Sequence, residues 1–144
     1  MRRVKTAVIG AGFMGKVHAE AIRRLGYVDI VGVTAANAPD AAAFAQSIGV
    51  ERSTGDYREL LADPAIDAVH VCTPNSLHFP VTKAALEAGK AVLCEKPLSM
   101  SVAEAQEMVD LAVAKNLPNP RSKPASVAGL RRSTGKVSAS VRCE

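Results

Sequence analysis

Short apolar runs alternate along this chain with longer stretches whose apolar positions recur every three or four residues. Lys5–Gly10, Val28–Thr34, Ala68–Thr73 and Ala91–Glu95 are mostly apolar and end in glycine or polar residues, the pattern of strands buried in a parallel sheet. A further short strand is expected near Glu51–Ser53. Helical stripes lie between the strands. The first runs through Met14, Val17, Ala21, Ile22 and Leu25 and stops at Gly26. Asp40–Ile48 is alanine-rich, with Gly49 just past its end. Asp56 can cap a short helix over Tyr57–Ala62, and another helix runs from about Phe79 to Ala88, stopped by Gly89. Ser101-Val102-Ala103-Glu104 has capping-box spacing. It opens a helix from Val102 to about Lys115 that is expected to bury Val102, Ala105, Val109 and Ala112. Strands alternating with helices predict an α/β fold: a doubly wound parallel sheet of about five strands, covered on both faces.

The pattern stops at Pro118. Residues 118–144 hold three prolines, five serines and no sustained apolar period, so a disordered tail is expected there. Residues 1–117 then form one domain of ordinary size. Charge divides at the same point. Residues 1–117 carry 12 Lys/Arg against 13 Asp/Glu, and residues 118–144 carry 6 against 1. The overall net charge of +4 therefore belongs to the tail, and the body lacks the basic footprint of a nucleic-acid-binding domain. Aromatic residues make up 3% of the chain, too few for a base-stacking platform. The apolar run after Arg2, Arg3 and Lys5 is too short for a signal peptide or a membrane span. Cys72, Cys94 and Cys143 lack metal-site spacing, and the first two lie in apolar segments. Reduced thiols and no metal are expected, in a cytoplasmic protein.

Val8-Ile9-Gly10-Ala11-Gly12-Phe13-Met14-Gly15 carries the chemistry that changes this picture. It contains G-x-G-x-x-G between a strand and a helix, the context of a dinucleotide-binding turn in a Rossmann fold. Gly10 permits the tight turn, Gly12 lets a pyrophosphate approach the backbone, and Gly15 allows the helix to pack on the strand. The helix N-terminus then faces the phosphates with free N–H groups. The competing readings are a purely structural turn or another nucleotide-type ligand such as S-adenosylmethionine. The acid that usually binds the adenosine ribose is missing, because the second strand ends Val33-Thr34-Ala35-Ala36-Asn37. No base is present for a 2′-phosphate either. Thr34 and Asn37 can hydrogen-bond a ribose or phosphate, and NAD against NADP stays open.

Two further stretches, Cys72-Thr73-Pro74-Asn75-Ser76-Leu77-His78 and Gly89–Ala105 with its Glu95-Lys96-Pro97, complete a set of three motifs in order. Over residues 4 to about 117 the chain resembles the glucose–fructose oxidoreductase/inositol dehydrogenase (Gfo/Idh/MocA) family. The resemblance implies an NAD(P)-dependent oxidoreductase acting on sugar- or polyol-like alcohols, with an N-terminal Rossmann domain and a second α/β domain. It also implies roles. Gly10, Ala11, Gly12, Phe13 and Met14 would form the dinucleotide turn, and Thr73, Pro74, Asn75 and His78 would border the cofactor. Glu95, Lys96 and Pro97 would stand near the nicotinamide, with Lys96 as the catalytic lysine. A lysine ammonium there can stabilise the alkoxide that develops as an alcohol loses hydride. Glu95 has an equal claim to be a simple partner of Lys96. His70 is expected to be a core histidine and His18 a packing residue.

The family's second domain supplies an aspartate and a histidine for proton transfer, and neither has a counterpart here. The chain is therefore expected to be a truncated or frame-shifted member, inactive alone. Its uncovered apolar surface would favour homo-oligomers or aggregation. The alternative is a non-enzymatic dinucleotide-binding module or sensor whose basic tail engages a partner. A nucleic-acid-binding protein that uses the tail is less consistent with the neutral body, and no membrane partner is expected.

Overall fold

A computed structural model of the chain describes residues 3–117, 130–133 and 136–139. The elements are β1 (Val4–Ile9), α1 (Phe13–Arg24), β2 (Val28–Thr34), α2 (Ala38–Ser47), β3 (Ser53–Thr54), α3 (Tyr57–Leu61), β4 (Ala68–Val71), α4 (His78–Glu87), β5 (Ala91–Cys94) and α5 (Val102–Ala114). A 3-10 turn, Asn75–Leu77, leads into α4. The five strands form one sheet in the order β3-β2-β1-β4-β5, and every pairing is parallel. The chain builds outward from β1 to β3 and then restarts on the other side of β1 with β4. The switch point between β1 and β4 is where such sheets bind ligands, beyond the carboxyl ends of the strands.

Alternation along the strands supplies both faces of the core. Val8 and Val33 pack with Ala19 and Ile22 of α1 and Phe44 and Ala45 of α2. Ala7, Ile9, Val69 and Val71 pack with Leu60 and Leu61 of α3 and Val81 and Ala85 of α4. A smaller cluster of Leu86, Met108 and Ala112 joins α4 to α5.

Two helix faces differ from the expected ones. On α1 the buried residues are Gly15, Ala19 and Ile22, while Val17 and Leu25 are exposed. Gly15 sits so close to Gly10 that it fixes which face meets the sheet, and the bulkier Val17–Leu25 stripe is left outside. On α5 the inward residues are Ala105, Met108 and Ala112. Val102 is 67% exposed and Val109 only half-buried, because Met108 is the side chain that reaches the α4 cluster.

The caps follow the sequence closely. Asp56 accepts from Arg58 N at 2.9 Å, and Ser101 Oγ accepts from Glu104 N at 3.2 Å. Glu104 reaches back one residue further than a simple capping box, to Met100 N at 3.1 Å. Lys90 is 6% exposed. Its ammonium donates to Asp63 O at 2.6 Å and Ile66 O at 2.9 Å, stitching the loop before β4 to the start of β5. Lys90→Met is expected to leave Ile66 O without a partner, while Asp63 O keeps its bond from Ile66 N at 3.2 Å, and to cost about 1–3 kcal/mol. Urea unfolding checks this, and an unchanged midpoint would refute it.

Beyond residue 117, Leu130–Ser133 and Lys136–Ala139 pair antiparallel as a separate two-stranded ladder, with Leu130 opposite Ala139 and Ser133 opposite Lys136. No element was expected there, since each strand carries few apolar residues. The rest of the expected disordered tail lies outside the described residues, as does Cys143.

Candidate functional site

A cavity of about 890 Å³ opens beyond the carboxyl ends of β1 and β4, large enough for a cofactor-sized ligand. The glycine turn forms its floor, and the three glycines do different work. Gly10 has φ +115, and a Cβ there would stand 2.4 Å from Cys72 O. A Cβ on Gly15 would stand 2.0 Å from Gly10 O. These two glycines are therefore demanded by the backbone packing of β1, α1 and the loop after β4. At Gly12, by contrast, a Cβ would meet nothing within 4 Å. Gly12 is the N-cap of α1, no side chain caps this helix, and its first turn holds no acid. The positive end of the helix dipole, with no side chain capping the first N–H groups, thus meets open space at Gly12, the arrangement that receives a phosphate. Above the turn, Thr73 Oγ1 is buried without a hydrogen-bond partner in a residue that lines the cavity. A bare helix end, open space at Gly12 and an orphaned hydroxyl together fit a dinucleotide.

The residues singled out from the sequence divide. Gly10, Ala11, Gly12, Phe13, Met14, Thr34, Thr73 and Pro74 line the cavity. Phe13 is 80% exposed on its lip. Asn37, Asn75, His78, Glu95, Lys96 and Pro97 are not part of its wall. Asn37 caps α2: its Oδ1 accepts from Asp40 N at 2.9 Å and its Nδ2 donates to Asp40 Oδ2 at 2.8 Å. Asn75 opens the 3-10 turn. Lys96 and Pro97 are exposed on the loop after β5, joined by a cis peptide bond.

His78 is buried beneath these loops, 1% exposed. Its Nδ1 lies 2.6 Å from Pro97 O and its Nε2 2.9 Å from Thr73 O. The ring therefore bridges the loop after β4 to the loop after β5.

Glu95 does not rely on Lys96 for its partner. Its Oε1 lies 2.8 Å from His18 Nε2, and His18 Nδ1 lies 3.0 Å from His70 Nδ1. A carboxylate only accepts, so His18 Nε2–H donates to Glu95. His18 Nδ1 and His70 Nδ1 share the second bond. Burial, with His18 as a secondary cause, pushes His70 down to about 4, so His70 remains neutral in this chain of bonds. Burial, reinforced by the charge of Glu95, also pushes the Cys72 thiol up to about 12 and that of Cys94 to about 11. Both are free cysteines and stay protonated.

Sequence reasoning did not find this chain, although one signal was available. If Gly15 faces the sheet, His18 lies three residues along the same face. It also missed the far wall of the cavity, where Asp40, Phe44, Gly55 and Tyr57 contribute. Among the described residues no group of three or more His, Cys, Asp or Glu could hold a metal ion. None of the described helices is long and apolar enough to cross a membrane.

The same architecture occurs in proteins of known description. YrbE of Bacillus subtilis (strain 168), an uncharacterized oxidoreductase, is 40% identical over 106 residues, which is 74% of this chain and 31% of that protein. A levoglucosan dehydrogenase solved with NADH and L-sorbose superposes with a TM-score of 0.79 at 36% identity, covering 83% of this chain and 34% of that one. A 3-ketoreductase from Actinomadura kijaniata solved with NADP and TDP-benzene gives 0.76 at 27% identity, covering 81% and 36%. The chain thus spans about a third of the length of these relatives. Residues 4–118 match the oxidoreductase family GFO_IDH_MocA over its NAD-binding Rossmann fold. With the parallel sheet, the glycine turn and the cavity at the switch point, this match establishes that the chain belongs to the GFO_IDH_MocA oxidoreductase family and comprises that family's NAD-binding domain.

Proposed function

We propose that this chain is the cofactor-holding part of an oxidoreductase that moves a hydride between a sugar- or polyol-like alcohol and a nicotinamide dinucleotide. The observation that carries the reading is the open, uncapped helix end at Gly12 within the cavity. When bound, the dinucleotide supplies the carbon that accepts or gives the hydride. The chain's own residues do the rest. The backbone of Gly10–Met14 binds the pyrophosphate, Thr34 and Thr73 offer hydroxyls along the cavity, and Pro74 shapes its rim. Lys96 directs an ammonium toward the reacting alcohol, where it stabilises developing alkoxide charge and holds the departing proton. Glu95 is anchored to α1 through His18, which fixes the backbone from which Lys96 projects. His78 secures Pro97 on the other side. Substrate groups beyond these belong to the part of the relatives' length that this chain does not span.

The six Lys/Arg against one Glu in residues 118–144 favour a second reading, a non-enzymatic dinucleotide-binding module whose basic segment engages a partner. Fluorescence titration of NADH with the purified chain tests the feature both readings share. Saturable binding is expected, and Lys96→Met is expected to change that affinity by less than about threefold, since a group acting on the alcohol adds little to cofactor binding. A folded chain that leaves NADH fluorescence unchanged at millimolar protein and shows no heat of binding would end both readings.

A further inference from the structure

NAD and NADP differ by one phosphate on the adenosine ribose, and β2 ends in Thr34-Ala35-Ala36 without an acid or a base to distinguish them. The cavity wall supplies what the strand end lacks. Two of the described residues lining it carry charge at neutral pH, Lys16 of α1 and Asp40 in the first turn of α2. Lys16 stands one turn past Gly12, next to the turn that would hold the pyrophosphate, which both cofactors share. Asp40 lies on the β2–α2 side, where the adenosine end of a dinucleotide belongs in this fold.

Three backbone positions in the first turn of α2 have no free N–H for a 2′-phosphate. Pro39 has no N–H. Asp40 N is taken by Asn37 Oδ1 at 2.9 Å, and Ala41 N by Asn37 O at 3.1 Å. The carboxylate itself is held in place, because Asn37 Nδ2 donates to Asp40 Oδ2 at 2.8 Å. Its other oxygen accepts no hydrogen bond from the described residues and is available to a ribose hydroxyl.

We propose that Asp40 is the residue that selects NAD(H) over NADP(H) in this chain, taking from the first turn of α2 the role that an acid at the end of β2 usually plays. It accepts a hydrogen bond from the ribose hydroxyl, and it repels the negative charge of a 2′-phosphate. The inference rests on the cofactor-site reading above.

The test is calorimetric titration of the whole chain with NADH and NADPH separately, for the native sequence and for Asp40→Asn, with thermal unfolding to verify that both fold. NADH is expected to bind the native chain at least about tenfold more tightly than NADPH, one charge repelled at close range being enough for this. Asp40→Asn keeps the backbone N–H that Asn37 caps. It is expected to close most of that gap, chiefly by strengthening NADPH. Equal affinities in the native chain would overturn the proposal. So would an Asp40→Asn variant that weakens both cofactors alike, which would make Asp40 only a helix-capping residue. If a folded native chain binds neither cofactor, the cofactor-site reading itself fails and takes this inference with it, an outcome distinct from binding without selectivity.

Discussion

A chain carrying Gly12→Val is expected to fold like the native protein and to lose at least about 100-fold in NADH affinity, about 2.7 kcal/mol. The backbone at Gly12 has φ −71 and ψ −170, an extended conformation open to any residue, and an added side chain meets no protein atom within 4 Å. Its stability should therefore change by less than about 1 kcal/mol. The space the valine fills is the space a pyrophosphate needs. Gly10→Ala and Gly15→Ala should behave in the opposite way. Each forces a Cβ onto backbone atoms, at 2.4 Å from Cys72 O or 2.0 Å from Gly10 O, and Gly10 adds a φ of +115. Neither neighbour is the end of a flexible side chain, so β1, α1 or the loop after β4 must move. A loss of about 3 kcal/mol or more is expected, a large share of the 5–15 kcal/mol by which domains are typically stable. Circular dichroism with urea unfolding separates the two outcomes. A destabilised Gly12→Val, or a Gly15→Ala as stable as the native chain, would show that the glycines have been assigned the wrong tasks.

The second large effect is a loss of stability in mild acid that traces to one histidine. His70 sits at about 4 in the folded chain against an ordinary 6.5, chiefly through burial and secondarily through His18. The unfolded chain therefore binds a proton at this residue more readily than the folded one. Stability from this source is fully present above about pH 6.5 and is lost as pH falls from there toward 4. Between pH 7.5 and pH 5 the loss amounts to about 2 kcal/mol. His70→Leu replaces the imidazole with an apolar side chain in β4 and should flatten that part of the pH profile, even though it surrenders the bond to His18. Asp29 and Asp63 are held below their usual range, Asp29 first by its hydrogen bond from Arg3 and Asp63 first by the backbone N–H of Ala65. Both lose their contribution only below the ordinary carboxylate value, and equally in the two proteins. Urea midpoints of native and variant chains at the two pH values decide the matter. Parallel slopes would rule out His70 as the source.

The four longer strands were legible because burial on both faces leaves a mostly apolar run, and β2 matches its expected span residue for residue, while the short β3 lies at Ser53–Thr54 and only overlaps the expected Glu51–Ser53. Helix faces were less legible. In α1, Val17 and Leu25 outweigh Gly15 and Ala19 on any hydrophobic count, yet the small residues face the sheet because the helix lies nearly against the turn. The same competition moved the inward stripe of α5 onto Met108. The glycine turn was readable because its chemistry is backbone chemistry and its spacing is local. The far wall of the cavity was not, since Asp40 and Tyr57 reach it only through the strand order. Asn37 appeared as a polar residue at a strand end, and its amide is spent on the helix that follows. The bond from His18 to Glu95 joins residues 77 positions apart, and no local pattern announces it.

The contact of Gly15 with Gly10 also bears on how fast a ligand can be captured. The turn closes when β1 and α1 pack, so the phosphate-binding backbone is already set before any dinucleotide arrives. The ordering entropy of those residues is charged to folding and not to association. Encounter should then proceed at the ordinary orientation-limited rate of about 10⁵–10⁷ M⁻¹s⁻¹, with no slow rearrangement of the turn. Differences in affinity among dinucleotides should appear almost wholly in how long each one stays.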